Sequence, residues 1–288
     1  MAIRDPELIR HWQDDGYVVL KQVVPHDLID RLDADVASFR RSCGEAKDDH
    51  GFGQRIGLFH VQNEHSMQVA LNAGVREFLR FAFADESLLF GTLTFETGTE
   101  QAAHQDSVFF FTDPDTAMAG VWVALEDVQP DAGPLFYYPG THKWGVARAE
   151  QVWAAHPELQ ARVAAISWGR GQADARTQLA NELGNAWSNM LHARIQQLGL
   201  QPVPALIKKG DALVWHAHLV HGGLPRKNRA LSRRSMVSHH IGRHAAMFDM
   251  QSFFLRRREE FGRGIAIPHG LRRHALGPYV QHDKPVTY

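Results

Sequence analysis

The residues with the clearest chemical potential form the tripeptide His104-Gln105-Asp106, which directly precedes an apolar, aromatic run. On a β-strand, side chains at positions i and i+2 point to the same face, so His104 and Asp106 would project together. One imidazole nitrogen and one carboxylate oxygen are two of the three ligands of a 2-His-1-carboxylate site, which binds Fe(II) and leaves other positions open. By the same alternation Phe110 shares the ligands' face, where it either lines a substrate pocket or belongs to the core.

A third ligand is expected from a histidine-rich segment further along the chain. Residues 210–223 are predicted to form a turn and a strand that ends at His221, where two glycines let the backbone turn tightly. If the strand alternates without a break, His216 and His218 lie on the face opposite His221. The three histidines therefore cannot all be ligands of one metal ion without a bulge, and the spacing alone leaves the choice among them open. Arg234 follows His221 by thirteen positions, at the start of another strand-like run.

The composition is that of an ordinary soluble globular protein. The 288 residues carry 31 Lys and Arg against 32 Asp and Glu, with 44% hydrophobic and 22% charged residues. No apolar stretch reaches the length of a membrane span, and the first residues lack the apolar core of a signal peptide. The single cysteine, Cys43, excludes an internal disulfide and a cysteine-based metal site. We therefore expect a cytoplasmic protein that is not embedded in a membrane.

Positive charge is concentrated near the end of the chain. Residues 226–288 hold thirteen Lys and Arg but only four Asp and Glu. This asymmetry indicates either an anionic substrate or simply a basic surface offset by acidic surface elsewhere. No basic stripe interleaved with aromatic residues is present, so nucleic acid is not an expected partner. A small-molecule substrate is expected, for which the basic region could supply a cation if the substrate is anionic, although the surface interpretation is favoured. The sequence does not indicate an oligomeric state.

The elements that must position these residues follow from hydrophobic periodicity. Helices are predicted over residues 5–16, 26–42 and 66–85. From residue 87 the chain changes to short runs of β-branched and aromatic residues broken by Gly, Pro and Asp, which predict strands and turns. A helical block over 145–200 interrupts the strands, and it is expected to be either a lid or a packed helical layer. The chain is thus predicted to be one α+β domain over 1–288 with a mainly β core, a sandwich or a barrel.

Taken together, these motifs resemble the phytanoyl-CoA dioxygenase family of Fe(II)- and 2-oxoglutarate-dependent oxygenases. The resemblance extends from about residue 10 to 240. It is carried in order by four stretches, DGYVVLKQVVP, HQDSVFFFT, GVWVALEDVQPDAGPLFYYPGTHKWG and GDALVWHAHLVHGG, the last followed by an Asn and by SRRS. It implies a double-stranded β-helix, a jelly-roll fold of the cupin type, with helices before it and the helical insertion around 145–200.

The resemblance also implies a role for individual residues. The iron ligands would be His104, Asp106 and His221, since the distal ligand of the family is the His directly before a Gly. His216 and His218 are then interpreted as structural or supporting residues. The resemblance further implies Fe(II), 2-oxoglutarate and O2 as cofactors and co-substrates. Gly223 departs from the family, because many members carry at this position a serine that can bind the co-substrate.

For the contacts with 2-oxoglutarate, the resemblance points to an arginine, a tryptophan and a polar residue. The arginine usually follows the distal His by eleven positions, but two extra residues in this loop shift it to Arg234, with Arg233 as the alternative. Trp122 matches a family tryptophan beside the co-substrate. Thr94 is the best candidate for the polar residue on the strand before the His-x-Asp motif.

The activity implied by this resemblance is hydroxylation of an unactivated C–H bond of a small molecule, with release of succinate and CO2. The carboxylate of Asp106 favours hydroxylation over halogenation, because related halogenases carry a small residue there. Two alternatives stay open. One is a cupin-type metalloenzyme that does not use 2-oxoglutarate, and the other is a non-catalytic protein that has kept the fold.

Overall fold

The computed structural model describes residues 5–43, 55–260, 271–280 and 286–287. Its α-helices within these ranges are α1 (Pro6–Asp14), α2 (His26–Cys43), α3 (Glu64–Ala70), α4 (Ala73–Phe83), α5 (Ala149–Ala155), α6 (Pro157–Ala165), α7 (Ala173–Gln197) and α8 (Met250–Leu255). The single helix predicted over 66–85 is two helices, α3 and α4. The break lies at Asn72, whose side-chain oxygen accepts hydrogen bonds from the backbone N–H groups of Gly74 and Val75 and so caps the start of α4.

The strands begin after α1 and alternate with short loops. Within the described ranges they are β1 (Tyr17–Leu20), β2 (Arg55–Gly57), β3 (Ser87–Phe95), β4 (Phe111–Asp113), β5 (Met118–Ala124), β6 (Leu135–Tyr137), β7 (Val203–Pro204), β8 (Ala212–His216), β9 (His221–Gly223), β10 (Ser235–Gly242), β11 (Ala246–Phe248), β12 (Leu271–His274), β13 (Gly277–Val280) and β14 (Val286–Thr287). The major sheet runs in the order β1-β8-β5-β10-β3-β13-β12, with β2 paired to β3 and β14 to β2. The minor sheet has the order β7-β6-β9, and β4 pairs with β11.

The two larger sheets pack face to face around one apolar interior. Trp122 of β5, Trp215 of β8 and Val237 of β10 belong to the same buried cluster as Leu135 and Tyr137 of β6. Alternation along each strand sends these side chains inward and their sequence neighbours outward. The predicted fold, a jelly-roll in an α+β chain with a mainly β core, is confirmed.

The N-terminal helices cover the outer face of the major sheet. Val121 and Val123, the sequence neighbours of Trp122, point outward into a second buried cluster together with Leu32 of α2 and Phe78 of α4. Burying a side chain of this size contributes roughly 2 kcal/mol each. This apolar layer stabilises the major sheet from its outer face, and the polar side chains of the candidate site lie on its other, inner face.

The helical insertion predicted over 145–200 forms α5, α6 and α7, and it is a packed layer. Its core residues Trp153 and Trp187 are buried in one cluster with Phe136 and Tyr138 of the minor sheet. The indole N–H of Trp153 donates a hydrogen bond to the backbone oxygen of Phe254 in α8. The insertion therefore supports the outer side of the minor sheet. None of the helices in the described ranges combines the length and the apolarity that crossing a membrane requires.

His216 and His218 are not part of the group of three potential ligands formed by His104, Asp106 and His221. The backbone oxygen of His218 instead accepts a hydrogen bond from the side-chain amide of Gln105. β8 ends at His216, whose ring is 5.5 Å from that of His142 and 5.0 Å from that of His218, measured between centroids. The predicted unbroken strand is wrong, because the chain turns at residues 217–220 before β9 begins at His221. Burial, reinforced by His218 and His142, lowers the pKa of His216 to about 3.

The low pKa of His216 predicts acid sensitivity of the fold. An unfolded histidine has a pKa near 6.5, so the unfolded chain binds a proton that the folded chain does not, and stability falls as the pH drops below this value. Between pH 7 and pH 5, we expect the free energy of unfolding to fall by about 2 kcal/mol less in His216→Gln than in the wild type. Urea unfolding of both metal-free proteins at the two pH values measures this difference. Equal losses of stability in the two proteins would contradict the low pKa of His216.

Candidate metal centre

The centre is built on one isolated antiparallel bridge between His104 and His221. The N–H of His104 donates to the oxygen of His221 at 2.9 Å, and the N–H of His221 donates back at 3.0 Å. The two imidazole rings lie 4.3 Å apart between centroids. Each Nε2 is 3.6 Å from Oδ1 of Asp106. The structure thus brings together three residues that are distant along the chain, as was predicted from the sequence.

The local backbone at the His-x-Asp motif differs from the predicted strand. Gln105 is extended, with φ −119° and ψ 133°, which is sufficient to place His104 and Asp106 on one side. Asp106 then begins a short 3-10 turn that ends at Val108, and β4 starts only at Phe111. The strand alternation assumed from Asp106 to Phe110 is therefore wrong. Phe110 nevertheless contacts the neighbourhood of the centre, because the turn swings it to within 5.2 Å of the ring of His239.

Backbone carbonyls orient both imidazoles for metal binding. Nδ1 of His104 hydrogen-bonds to the oxygen of Ala102 at 2.9 Å, and Nδ1 of His221 to the oxygen of Leu219 at 3.0 Å. If each Nδ1 is the donor, each Nε2 presents a lone pair toward Asp106. Burial lowers the pKa of His221 to about 4, although Asp106 opposes this shift. Both conditions suit a neutral ligand.

Asp106 is buried and held as a carboxylate. Burial acts to raise its pKa, but His221, His104 and His239 outweigh that effect, and the pKa lies below its usual range. Its other oxygen, Oδ2, accepts a hydrogen bond of 2.9 Å from the indole N–H of Trp215. Gly120 on β5 makes room for that indole, since a Cβ at Gly120 would lie 2.2 Å from the ring.

The ligand atoms of His104, Asp106 and His221 all lie within 4.8 Å of one another. Two neutral imidazole nitrogens and one carboxylate oxygen are the donor set of a facial triad, which suits Fe(II) and leaves coordination positions open. Across the described ranges no other group of three such side chains meets this criterion.

The two candidate arginines point to opposite sides of β10. Arg234 is directed outward, where its guanidinium pairs with Asp33 of α2 at 2.8 Å and with Glu126 at 3.0 Å. Arg233 is directed into the interior and is only 4% exposed. The expectation for Arg234 is therefore not met, and the alternative residue occupies the inner face. The reason is a one-residue difference in register, which reverses the face of every side chain.

The environment of Arg233 leaves part of its guanidinium without an acceptor among the described residues. Its guanidinium carbon lies 5.2 Å from the ring centroid of Trp122 and 5.7 Å from that of Phe95. One terminal nitrogen donates to the oxygen of Thr97 at 3.2 Å. Nε of Arg233 and the indole nitrogen of Trp122 are buried without a hydrogen-bond partner among the described residues. Burial lowers the pKa of Arg233 to about 10, so the group stays charged at neutral pH.

Thr94 does not face this interior. It is paired with Met236 of β10 and Ile56 of β2, and its side chain therefore shares their outer face, whereas Leu93 and Phe95 point inward. Like Arg234, Thr94 is therefore one position away from a residue that faces the interior. Gly223 stands at a tight approach, because a Cβ there would be 3.0 Å from the backbone nitrogen of Glu100. A side chain at position 223 would therefore meet the backbone of this loop.

Two residues near the centre were not anticipated. Nε2 of Gln101 lies 3.4 Å from Nε2 of His104, and Nε2 of His239 lies 3.9 Å from Oδ2 of Asp106. Burial lowers the pKa of His239, although Asp106 opposes this shift. His239 follows Arg233 by six positions, so strand alternation places both on the inner face. The sequence contains this spacing, but it indicates His239 only if Arg233, and not Arg234, is taken as the inward-facing arginine.

Removing the indole donor from Asp106 is expected to weaken metal binding. Trp215→Phe leaves an aromatic ring but deletes the hydrogen bond that orients the carboxylate, and such supporting contacts are worth about 10-fold to 100-fold in metal affinity. Anaerobic titration with Fe(II), followed by calorimetry, measures the change. Trp187→Phe, buried in the helical layer, is the matched control. If both variants bind Fe(II) equally well, the Trp215 hydrogen bond does not tune this site.

Comparison with known proteins places the chain among similar sequences and folds. Residues 12–235 match the family described as "Phytanoyl-CoA dioxygenase (PhyH)". Over 51 residues the chain is 45% identical to phytanoyl-CoA dioxygenase domain-containing protein 1 of Bos taurus and, equally, to that of Danio rerio. Each match covers 18% of this chain and 18% of the relative, so the chain matches less than a fifth of the length of these curated relatives.

Solved structures share the fold at low sequence identity. The epimerase SnoN from nogalamycin biosynthesis, in complex with Fe3+, alpha ketoglutarate and nogalamycin RO, superposes with a TM-score of 0.61 at 17% identity. That match covers 89% of this chain and 90% of SnoN. The carbocyclase SnoK gives a TM-score of 0.61 at 15% identity, covering 85% and 88%. EctD from S. alaskensis gives 0.56 at 16% identity, covering 84% and 78%.

Proposed function

The chain belongs to the phytanoyl-CoA dioxygenase family, and on that premise we propose that it is an Fe(II)- and 2-oxoglutarate-dependent dioxygenase acting on a small molecule. One observation carries the proposal. A buried arginine and a buried indole, both with donors that lack acceptors, share one interior with a complete facial triad. Buried donors without partners are uncommon in folded proteins, and two of them on the inner face near the triad support an anion site there.

The residues of this chain divide the work between them. His104, Asp106 and His221 would hold Fe(II), with Trp215 fixing the carboxylate. Arg233 would pair with the far carboxylate of 2-oxoglutarate, because its planar, permanently charged guanidinium can donate two parallel hydrogen bonds. Trp122 would place its ring and its N–H beside the same carboxylate.

Bound Fe(II), 2-oxoglutarate and O2 would supply the oxidising power to convert a substrate C–H to C–OH, with succinate and CO2 as co-products. The inner walls of the two sheets would exclude water from this chemistry. We propose hydroxylation as the outcome because the carboxylate of Asp106 occupies the position that a halide would need. SnoN and SnoK are described as an epimerase and a carbocyclase, so oxygen incorporation into the product is the measurement that separates hydroxylation from these outcomes.

The alternative cupin-type enzyme, which would not use 2-oxoglutarate, has no use for Arg233. The buried donors of Arg233 and Trp122 therefore count against it. A non-catalytic role is disfavoured by the complete triad. The single-domain organisation over residues 1–288 and the cytoplasmic location stay predictions from the sequence.

The two arginines give a direct test of the co-substrate site. Arg233→Gln removes the charge that would pair with the 5-carboxylate, and charge-assisted hydrogen bonds of this kind are worth about 1.5–3 kcal/mol. We expect the KM for 2-oxoglutarate to rise about 10-fold to 100-fold, measured by succinate release. Arg234→Gln should leave this KM within about twofold, although it loses the partly buried ion pairs to Asp33 and Glu126.

The reverse pattern would contradict the assignment of Arg233. If the KM rises in Arg234→Gln and not in Arg233→Gln, the outward arginine must turn inward when the co-substrate binds. Equal values in wild type and both variants would mean that no arginine of this pair holds 2-oxoglutarate.

A further inference from the structure

His239 lies beside the metal ligands without being one of them. It is on the inner face of β10, directly opposite Gly91 of β3 and Gly120 of β5. A β-bulge between His239 and His240 shifts the register with β3 at this point. The ring of Phe90 consequently stacks on His239 at 5.7 Å between centroids and 27° between planes. His239 therefore stands in an aromatic wall near the middle of β10, six positions beyond Arg233.

The imidazole of His239 has no hydrogen-bond partner among the described residues. Oδ2 of Asp106 lies 3.9 Å from its Nε2, which is beyond hydrogen-bond distance. That oxygen already accepts the hydrogen bond from Trp215. The residue is only 8% exposed, but its ring nitrogens are not among the fully buried atoms that lack a hydrogen-bond partner, so they keep some accessible surface. A donor or acceptor held at this position, next to the metal ligands, is suited to a group that arrives with the substrate.

The walls around His239 are apolar and aromatic. Phe110 lies 5.2 Å from His239 and 5.0 Å from Phe90, between ring centroids. Phe90 belongs to a buried cluster with Leu88 and Met118, and Phe110 packs against it. These side chains offer a substrate only apolar contact area.

The arginines that suggested an anionic substrate are engaged elsewhere. Arg229 contacts Glu100, Arg243 contacts Glu86, and Arg256 covers the ring of Trp168 at 3.5 Å. Arg234 pairs with Asp33 and Glu126, as described above. Of the basic residues of 226–260 whose contacts are described, only Arg233 points into the interior, and the proposed function assigns it to the co-substrate. None of these basic residues is therefore placed beside His239 to pair with a second anion.

From this arrangement, and resting on the proposed function, we propose that His239 is a substrate-positioning residue for an uncharged, largely apolar or aromatic molecule that carries one hydroxyl or carbonyl oxygen. The oxygen hydrogen-bonds to the imidazole, and the apolar body packs on Phe90 and Phe110. This contact holds the reacting carbon of the substrate beside the metal site. The ring of His239 contributes position and not a proton to the reaction.

Two matched probes test the proposed substrate class. 2-Naphthol is uncharged and can hydrogen-bond, whereas 2-naphthoate has the same ring system with a negative charge. Their binding is measured by equilibrium dialysis on the full chain loaded with redox-inert Zn(II) and saturating 2-oxoglutarate, so that Arg233 is already occupied. We expect 2-naphthol to bind the wild type about tenfold tighter than 2-naphthoate, because a buried charge without a partner is strongly disfavoured.

Variants of neighbouring histidines isolate the role of His239. His239→Phe keeps an aromatic ring between Phe90 and Phe110, and it should weaken 2-naphthol binding about fivefold through loss of one hydrogen bond. His239→Gln, which can still donate and accept, should restore binding to within about twofold. His240→Phe is the matched control, because His240 is the next residue and points to the opposite face, where it bonds to Ser238.

The outcomes separate this proposal from the proposed function. It is overturned if 2-naphthoate binds as well as 2-naphthol, if neither binds the wild type, or if His239→Phe and His240→Phe behave alike. Repeating the dialysis without 2-oxoglutarate shows whether the probe site exists even where the co-substrate does not bind. If 2-oxoglutarate does not bind but 2-naphthol still binds in a way that depends on His239, only the proposed function is refuted.

Discussion

The pair of backbone hydrogen bonds between His104 and His221 is the constraint on which the candidate site depends. These residues are more than a hundred positions apart, and each lies at the edge of regular structure: one precedes a 3-10 turn and the other opens a three-residue strand. The bridge fixes the separation of the two imidazoles, while the carbonyls of Ala102 and Leu219 fix their rotation. Geometry of this kind costs little to maintain because backbone groups supply it.

The rest of the molecule keeps that bridge and its surroundings in register. The major sheet sets Trp215 against Gly120, which brings the indole to Asp106. The N-terminal helices cover this sheet from outside, and the helical insertion covers the minor sheet. Two buried layers therefore flank an interior that carries a carboxylate, a guanidinium and several imidazoles. Such an interior is expensive in desolvation, and we attribute its retention to function.

The fold was predicted correctly, and the three side chains predicted to bind iron lie together in the structure. The residues predicted to contact 2-oxoglutarate, Arg234 and Thr94, do not face the interior. His104, Asp106 and His221 were identified because residue type, order and spacing all agree. Arg234 and Thr94 were each chosen one residue away from an inward-facing position. Strand alternation has a period of two, so a loop of uncertain length before β10 leaves the face of Arg233 and Arg234 undetermined. Only the cross-strand register, with Ser235 opposite Phe95 and Ala124, decides it.

The most direct measurement is an anaerobic titration of the metal-free protein with Fe(II) and then with 2-oxoglutarate, followed by visible absorption. The account predicts a weak metal-to-ligand charge-transfer band that saturates with the bound iron in the wild type and is absent in His104→Ala. Stoichiometric iron without this band would contradict the use of 2-oxoglutarate and favour the cupin-type alternative. If the protein binds no iron and shows no band, the metal centre itself is contradicted. The fold alone would then remain of the family resemblance.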